Sequence, residues 1–457
     1  MYTSLHNHTD YSNLRLIDSI NTVPKLIDRA FELGLKGVAI TDHESVSGHI
    51  KAINHYKKNY KDKDFKLILG NEIYLTRNNL TADNHQKGER FYHFLLLAKN
   101  KKGHKQLRQL SSRAWSRSYM KNLMRVPVFW DDLEEIVGKD PGNIVATTAC
   151  LGGLPGTFFL NGEYEKIQPV LEASKNLFGK DNFFIEIQPS NQTEQISFNK
   201  YMIDNYWSKY NFVFTTDSHY LKKEDQELHR WFLQSKTSAS REVDDFYSSA
   251  YCMSFDEIKD YFKGYISEEK INTMLENTNS IGDSIEFYEL SHPQIVPKIK
   301  YEDIFEKESI EVIINLFEQN SLESFSYLNK FIKAPETQAD DYLIKLILQG
   351  YYEKIYALDT DAEEVPEYDR MKRLDYELEQ IYETSVKIEQ SLSDYFITMS
   401  KMIDVIWNDA DSIVGPGRGS ASGFLINYLA GITQLDPMTQ ELYLPPWRLA
   451  NATHMAG

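Results

Sequence analysis

Six short apolar runs, spread along residues 1–220 and separated by amphipathic stretches, constrain this 457-residue chain more than any other feature. They are "KGVAITDH" (36–43), "FKLILGNE" (65–72), "YHFLLLAK" (92–99), "GNIVATTAC" (142–150), "NFFIEIQ" (182–188) and "NFVFTTDSH" (211–219). Each reads as a buried strand, and strand and helix patterns alternating this often predict a parallel α/β architecture, open or closed into a barrel. One intervening helix is predicted at 23–34, "VPKLIDRAFELG": Val23, Leu26, Ile27, Ala30 and Phe31 share a face, and Gly34 ends it. The pattern becomes mainly helical from about 225 to 290, then acidic and helix-rich from about 300 to 411, where "DSIVG" (411–415) reads as a strand.

The residues that could ligate metal fall at the ends of those strands. His6 and His8 in "HNH" are two apart and on a strand would share a face, as would Asp217 and His219 in "TDSH". His43, Glu72 and Cys150 each end a run, and His93 opens one. In α/β barrels the site is assembled from the carboxyl ends of the strands. Mixed imidazole, carboxylate and thiolate donors suit Zn²⁺, Mn²⁺ or Fe²⁺, and so many of them imply two or three ions. Taken singly, each has a plainer role: a hydrogen-bonded histidine, an N-capping Asp18 before a helix near Thr22, a small apolar Cys150. His104, His229 and His292 lack such pairing and read as ordinary residues. Jointly, the ligand reading prevails.

The formal net charge of −17 argues against a chain that grips nucleic acid over its whole surface, without excluding a local basic groove. Acids cluster at 302–311 and 359–369, as expected of solvated surface. No run approaches the roughly 20 apolar residues of a membrane span, the N-terminus shows no signal peptide pattern, and there are only two cysteines, Cys150 and Cys252. These observations predict a cytoplasmic protein without membrane contact.

In order along the chain, "SLHNHTDYS", "GVAITDH", "LGNEIYLT", "YHFLLLAKN", "TTACLGG" and "TTDSHYL" resemble the PHP (polymerase and histidinol phosphatase) domain at the front of bacterial DNA polymerase III alpha subunits. That resemblance implies a distorted seven-stranded β/α barrel with up to three metals. Its nine ligand positions are filled by His6, His8, Asp18, His43, Glu72, His93, Cys150, Asp217 and His219. It implies metal-assisted phosphodiester hydrolysis as a 3′→5′ exonuclease, with His8, His43 and Asp217 as catalytic candidates. The short spacing from His93 to Cys150 is similar to the compact alpha-subunit type, without an inserted proofreading nuclease.

A second motif, "GPGRGSASG" (415–423), has the glycines of a phosphate cradle. Ser420 is expected to cap a following helix whose positive end faces an anion, with Arg418 as a forked donor. With "RLDYELEQI" and "SLSDYFITMSKMIDVIW" upstream, it resembles the palm-domain loop of C-family replicative polymerases. The resemblance implies that Gly417, Arg418, Gly419 and Ser420 bind the triphosphate of an incoming nucleotide. In that family an Asp-x-Asp metal motif follows "LYLPPWR"; here "LANATHMAG" follows. The expectation is therefore a DNA polymerase III alpha subunit cut before its palm aspartates and inactive alone in synthesis. Mg²⁺ would enter only when the missing part is supplied in trans or by splicing. Expected domains are 1–285 (PHP), 286–448 (start of the palm region) and 449–457 (a tail foreign to the family). Expected partners are DNA, deoxynucleoside triphosphates and replisome subunits. The alternatives are a stand-alone phosphoesterase for a small phosphomonoester and a metal-stabilised scaffold that docks a partner.

Overall fold

The computed structural model describes residues 1–76, 91–118, 125–235, 245–302, 304–358 and 365–439. The expected tail, the "LYLPPWR" stretch and most of the acidic stretch at 359–369 lie outside them. The chain divides into two compact units, Met1–Ser291 and His292–Gly457.

In the first unit the six apolar runs form strands β2 (Gly37–Ile40), β3 (Lys66–Thr76), β4 (Tyr92–Ala98), β6 (Ile144–Thr147), β7 (Phe183–Ile187) and β8 (Asn211–Phe214), and two short strands outside those runs, β1 (Thr3–Ser4) and β5 (Pro127–Phe129), join them. Seven make one curled path, β1-β2-β3-β4-β6-β7-β8, while β5 pairs with the end of β3. The path is parallel except for β4, which runs antiparallel to both β3 and β6. β4 is the one exception to the parallel architecture expected: apolar content marks a strand as buried and carries no sign of its direction. The two edges meet through a bridge between Asn7 and Ser218 beyond β1 and β8. At the other end of this seam lies the helix Glu268–Asp283, where Thr278 Oγ1 accepts from Thr3 N (3.4 Å) and Asn277 Nδ2 donates to Phe212 O (2.8 Å).

Alternation along each strand separates two cores. One set of side chains packs outward under the helices; the other, including Leu5, Ala39, Ile68, Leu97, Val145 and Val213, fills the barrel with Ile281 and Ile285 of the seam segment. The predicted helix forms at Val23–Glu32 with Val23, Leu26, Ile27 and Ala30 buried. Phe31 departs from that face: it is 39% exposed and lies against the rings of Tyr60 and Phe65.

The second unit is helical, with Lys307–Gln319, Ser326–Lys333, Gln338–Tyr351, Glu367–Ile388 and Ser393–Asn408 around a single apolar core. Gly350 lets the helix Gln338–Tyr351 touch the short helix Leu425–Leu429, for a β-carbon there would fall 2.0 Å from Leu429 O. The strand expected at 411–415 is absent: these residues form no regular element, Asp411 takes left-handed backbone (φ 44°), and Ile413 is 84% exposed.

Candidate metal centre at the barrel mouth

β1 ends early, but its backbone continues to the bridge at Asn7, and that bridge sets the two flanking histidines. Asn7 turns away from them: its Oδ1 accepts from Ser4 and Ser218 hydroxyls (2.9 and 3.0 Å), and its Nδ2 donates to Ala39 O (3.0 Å). His6 and His8 therefore share the interior face, both fully buried. Parallel bridging carries His43, just past β2, alongside Glu72 of β3. The reversed direction of β4 brings its first residues, and His93, to the mouth where the other strands end. Cys150, Asp217 and His219 follow β6 and β8. Three residues at this rim, Glu44, Ala149 and Asp217, adopt left-handed backbone (φ 60°, 56° and 45°), a conformation costing about 1–2 kcal/mol each for a side-chain-bearing residue.

The nine predicted ligands converge. His8, Asp18, His43 and His219 form one set of donors, His6, His8 and Asp217 a second, and His43, Glu72 and His93 a third; within each set the donor atoms lie within 4.8 Å of one another. His8 and His43 link the sets. Cys150 joins through its Sγ, 3.3 Å from His93 Nδ1. Asp18 does not cap the helix at Thr22. Its Oδ1 lies 3.2 Å from His219 Nε2, and its backbone amide donates to Asn13 Oδ1, which closes the loop that carries it.

The donor chemistry fits divalent ions. His6 Nε2 and His8 Nε2 face each other at 3.1 Å, and both lie 3.1–3.3 Å from Asp217 Oδ1 and 3.3 Å from Glu72 oxygens. Two donors on one ion at about 2.0–2.2 Å would stand about 3.0–3.5 Å apart, so these separations match the edges of a coordination polyhedron. Both Glu72 oxygens, Asp18 Oδ2 and Asp217 Oδ1 are buried without a hydrogen-bond partner, a condition that costs about 1–3 kcal/mol or more per group unless something else satisfies them.

Electrostatics follow from this crowding. Burial opposes ionisation of the carboxylates, yet the imidazoles of His93, His6 and His43 hold Glu72 well below its usual range, and His6, His8 and His219 do the same for Asp217. Burial opposes charge on His8 too, but Asp217 and Glu72 push it up to about 10. Burial pulls His43 down to about 4. Burial, then Asp217 and Glu72, raises the Cys150 thiol well above normal.

A supporting layer escaped the sequence reading. Glu186, fully inside β7, places Oε1 2.8 Å from His6 Nδ1 and is itself held by the hydroxyls of Thr147 (2.5 Å) and Thr215 (2.6 Å). An acid in the middle of the apolar run "FFIEI" was the available signal, since a buried carboxylate must have partners. Ser12 Oγ sits 3.1 Å from His8 Nδ1 and donates to Asp42. His229, read as ordinary, donates through Nε2 to the Asp18 carbonyl at 2.6 Å. His104 pairs with His49 at 2.9 Å, and His292 is exposed.

In the second unit Gly415, Gly417, Arg418, Gly419 and Ser420 are all exposed. Ser420 does not open the helix: Gly419–Gly423 form one 3-10 turn, Phe424 is extended, and the helix is Leu425–Leu429. Its N-terminus is already occupied. Buried Glu377 accepts from Leu425 N and Ile426 N, both at 2.9 Å, and from Arg373 Nε at 2.6 Å.

Residues 4–190 match the PHP domain family, and residues 341–448 match the bacterial DNA polymerase III alpha NTPase domain. The chain is 40% identical over 469 residues to the probable DNA polymerase YorL of Bacillus subtilis (strain 168), covering 97% of this chain and 35% of that protein. It is 28% identical over 472 residues to the DNA polymerase III subunit alpha of Aquifex aeolicus, covering 98% and 35%. An amidohydrolase structure from Chromobacterium violaceum matches at 16% identity with a TM-score of 0.29, covering 48% of this chain and 88% of that one. The chain spans about a third of the length of the curated relatives it matches.

Proposed function

We propose, from the matches to the PHP domain and to DNA polymerase III alpha proteins, that the barrel mouth is a metal-dependent phosphoesterase centre that removes nucleotides from DNA 3′ ends. The observation that carries this reading is the convergence of nine donors with four buried carboxylate oxygens left without hydrogen bonds. Divalent ions bound there would lower the pKa of a coordinated water and neutralise the oxygens of a phosphodiester undergoing attack.

The chain's own residues hold and orient. Glu186 fixes the His6 ring, Ser12 and Asp42 fix His8, and the Asp217 carbonyl, 2.7 Å from His219 Nδ1, turns the Nε2 of His219 toward Asp18. Tyr74 stacks on His43 (5.2 Å) and Tyr247 meets the His219 ring edge-on (4.9 Å), which shields the cluster from bulk water. His8 and His43 are 0% and 5% exposed, with both ring nitrogens directed at cluster partners. That favours ligation over proton shuttling for both, and leaves His93, whose side chain is 24% exposed, as the donor most open to substrate. The Gly417–Ser420 loop would hold a nucleoside triphosphate through Arg418 and loop amides, since Glu377 satisfies the helix end. On this reading the chain acts in DNA replication.

The test is release of 3′ nucleotides from end-labelled single-stranded DNA by the purified chain with Mn²⁺ or Zn²⁺. Activity lost in His8→Ala is the expected result. Well under one bound ion per chain, with no metal-stimulated release, would overturn the reading.

A further inference from the structure

In "LGNEIYLT" a tyrosine follows Glu72 by two residues. On a strand that spacing returns Tyr74 to the face of β3 that carries Glu72. The sheet register repeats the placement. Tyr74 lies opposite His93 of β4, and Glu72 lies opposite Leu95, which is part of the barrel filling. Glu72, Tyr74 and His93 therefore share the interior face. The Tyr74 ring accordingly stacks on His43 (5.2 Å, 17°) and meets His93 edge-on (5.1 Å).

Tyr74 is only 4% exposed. Even so, no described residue forms a hydrogen bond with its hydroxyl. Other buried tyrosines of this unit are paired: Tyr2 donates to Met253 O (2.8 Å), Tyr56 to Phe65 O (2.8 Å) and Tyr220 to Tyr247 O (2.7 Å). Burying an unpaired hydroxyl is costly, and phenylalanine would fill the same place without that cost. The hydroxyl also stands among the ligands, for the carboxylates of Asp18 and Glu72, from two different donor sets, both act on it. Those neighbours supply acceptors in plenty; what the mouth lacks is an O–H donor. A metal would take a phenolate, and the carboxylates oppose a further negative charge there. A phosphate oxygen takes the O–H as it stands.

We infer that Tyr74 is a phosphate-binding residue of this centre, its hydroxyl donating a hydrogen bond to a non-bridging oxygen of the phosphate group held at the mouth. The identity of that ligand rests on the phosphoesterase reading above. The phenol keeps its proton throughout: it orients the phosphate and takes part of its charge, while the bond to be broken is left to the metal-bound water.

The experiment is calorimetric titration of thymidine 5′-monophosphate, the product such a reaction releases, into the Mn²⁺-loaded chain. Bound manganese and melting temperature are measured on the same samples. Tyr74→Phe keeps the ring against His43 and removes only the hydroxyl. It should bind the nucleotide roughly tenfold more weakly, with manganese content and melting temperature unchanged. Wild-type affinity in Tyr74→Phe would overturn the inference, as would a wild-type chain that binds no nucleotide. Weaker binding accompanied by lost manganese would overturn it too, since Tyr74 would then act by supporting the ligands. Nucleotide binding that depends on the Tyr74 hydroxyl, in a chain that releases nothing from DNA, would refute the phosphoesterase reading and leave the phosphate contact standing.

Discussion

His6 Nδ1 and Glu186 Oε1 lie 2.8 Å apart inside the barrel, with neither side chain exposed. The carboxylate fixes which imidazole nitrogen carries the proton, so Nε2 is left to face Glu72 and Asp217. Glu186→Gln preserves shape and leaves an acceptor oxygen for a threonine hydroxyl while removing the charge. Metal affinity should fall about 10–100-fold, measured by competition with a chelator, with the folded structure retained. Wild-type affinity in this variant would show that Glu186 is only a core polar residue.

Stripping metal should cost stability. The cluster buries three carboxylates, Asp18, Glu72 and Asp217, whose oxygens are incompletely hydrogen-bonded, and the barrel must close over them. An ion that binds the folded state alone adds about 2.7 kcal/mol at a hundredfold excess over its Kd. Chelated protein should therefore melt several degrees lower and recover on addition of Mn²⁺ or Zn²⁺. Equal melting with and without the ions would falsify the metal centre independently of any activity.

In the helical unit the sensitive point is Glu377. Its removal in Glu377→Ala would leave two buried amides of the helix Leu425–Leu429 and the Arg373 Nε without the carboxylate that accepts from them, while Arg373 Nη2 keeps its bond to Gly423 O. Breaking a buried charged pair of this kind costs roughly 3–5 kcal/mol, and Glu377→Gln should cost less because one acceptor oxygen survives. Urea denaturation of the two variants reads the difference; equal midpoints would argue that water replaces the carboxylate freely.

Acid should destabilise the barrel through a pair away from the metal donors. His49 Nε2 donates to Gly70 O at 2.9 Å, and its Nδ1 lies 2.9 Å from His104 Nε2, so both rings are buried neutral. Burial, then repulsion from any charge on His104, lowers His49 to about 3, and burial, then the Arg108 cation, lowers His104 to about 4. Because these folded pKa values lie below the unfolded value of about 6.5, the unfolded chain binds the extra protons. Stability is complete above pH ~6.5 and falls toward pH ~4 by up to about 1.4 kcal/mol per pH unit for each ring. His104→Gln should flatten that decline in urea titrations between pH 7 and 5, and an unchanged pH slope would remove the pair as its cause.

Much of this protein is written locally. Alternating apolar and amphipathic stretches determine that strands and helices form, and ligand-type residues at strand ends announce the site, because both signals depend on spacing along the chain. Direction and pairing are different. That β4 runs backwards, and so delivers His93 to the mouth by its first residues, depends on which neighbours it meets across the sheet. The partnership of Glu186 with His6 spans 180 residues, and Glu377 reaches the helix start 48 residues later in the chain. Sequence alone determined which side chains were available to bind metal and phosphate. Only the tertiary structure decided which of their atoms remain unpaired, because hydrogen bonds and burial are set by residues distant in sequence and adjacent in space.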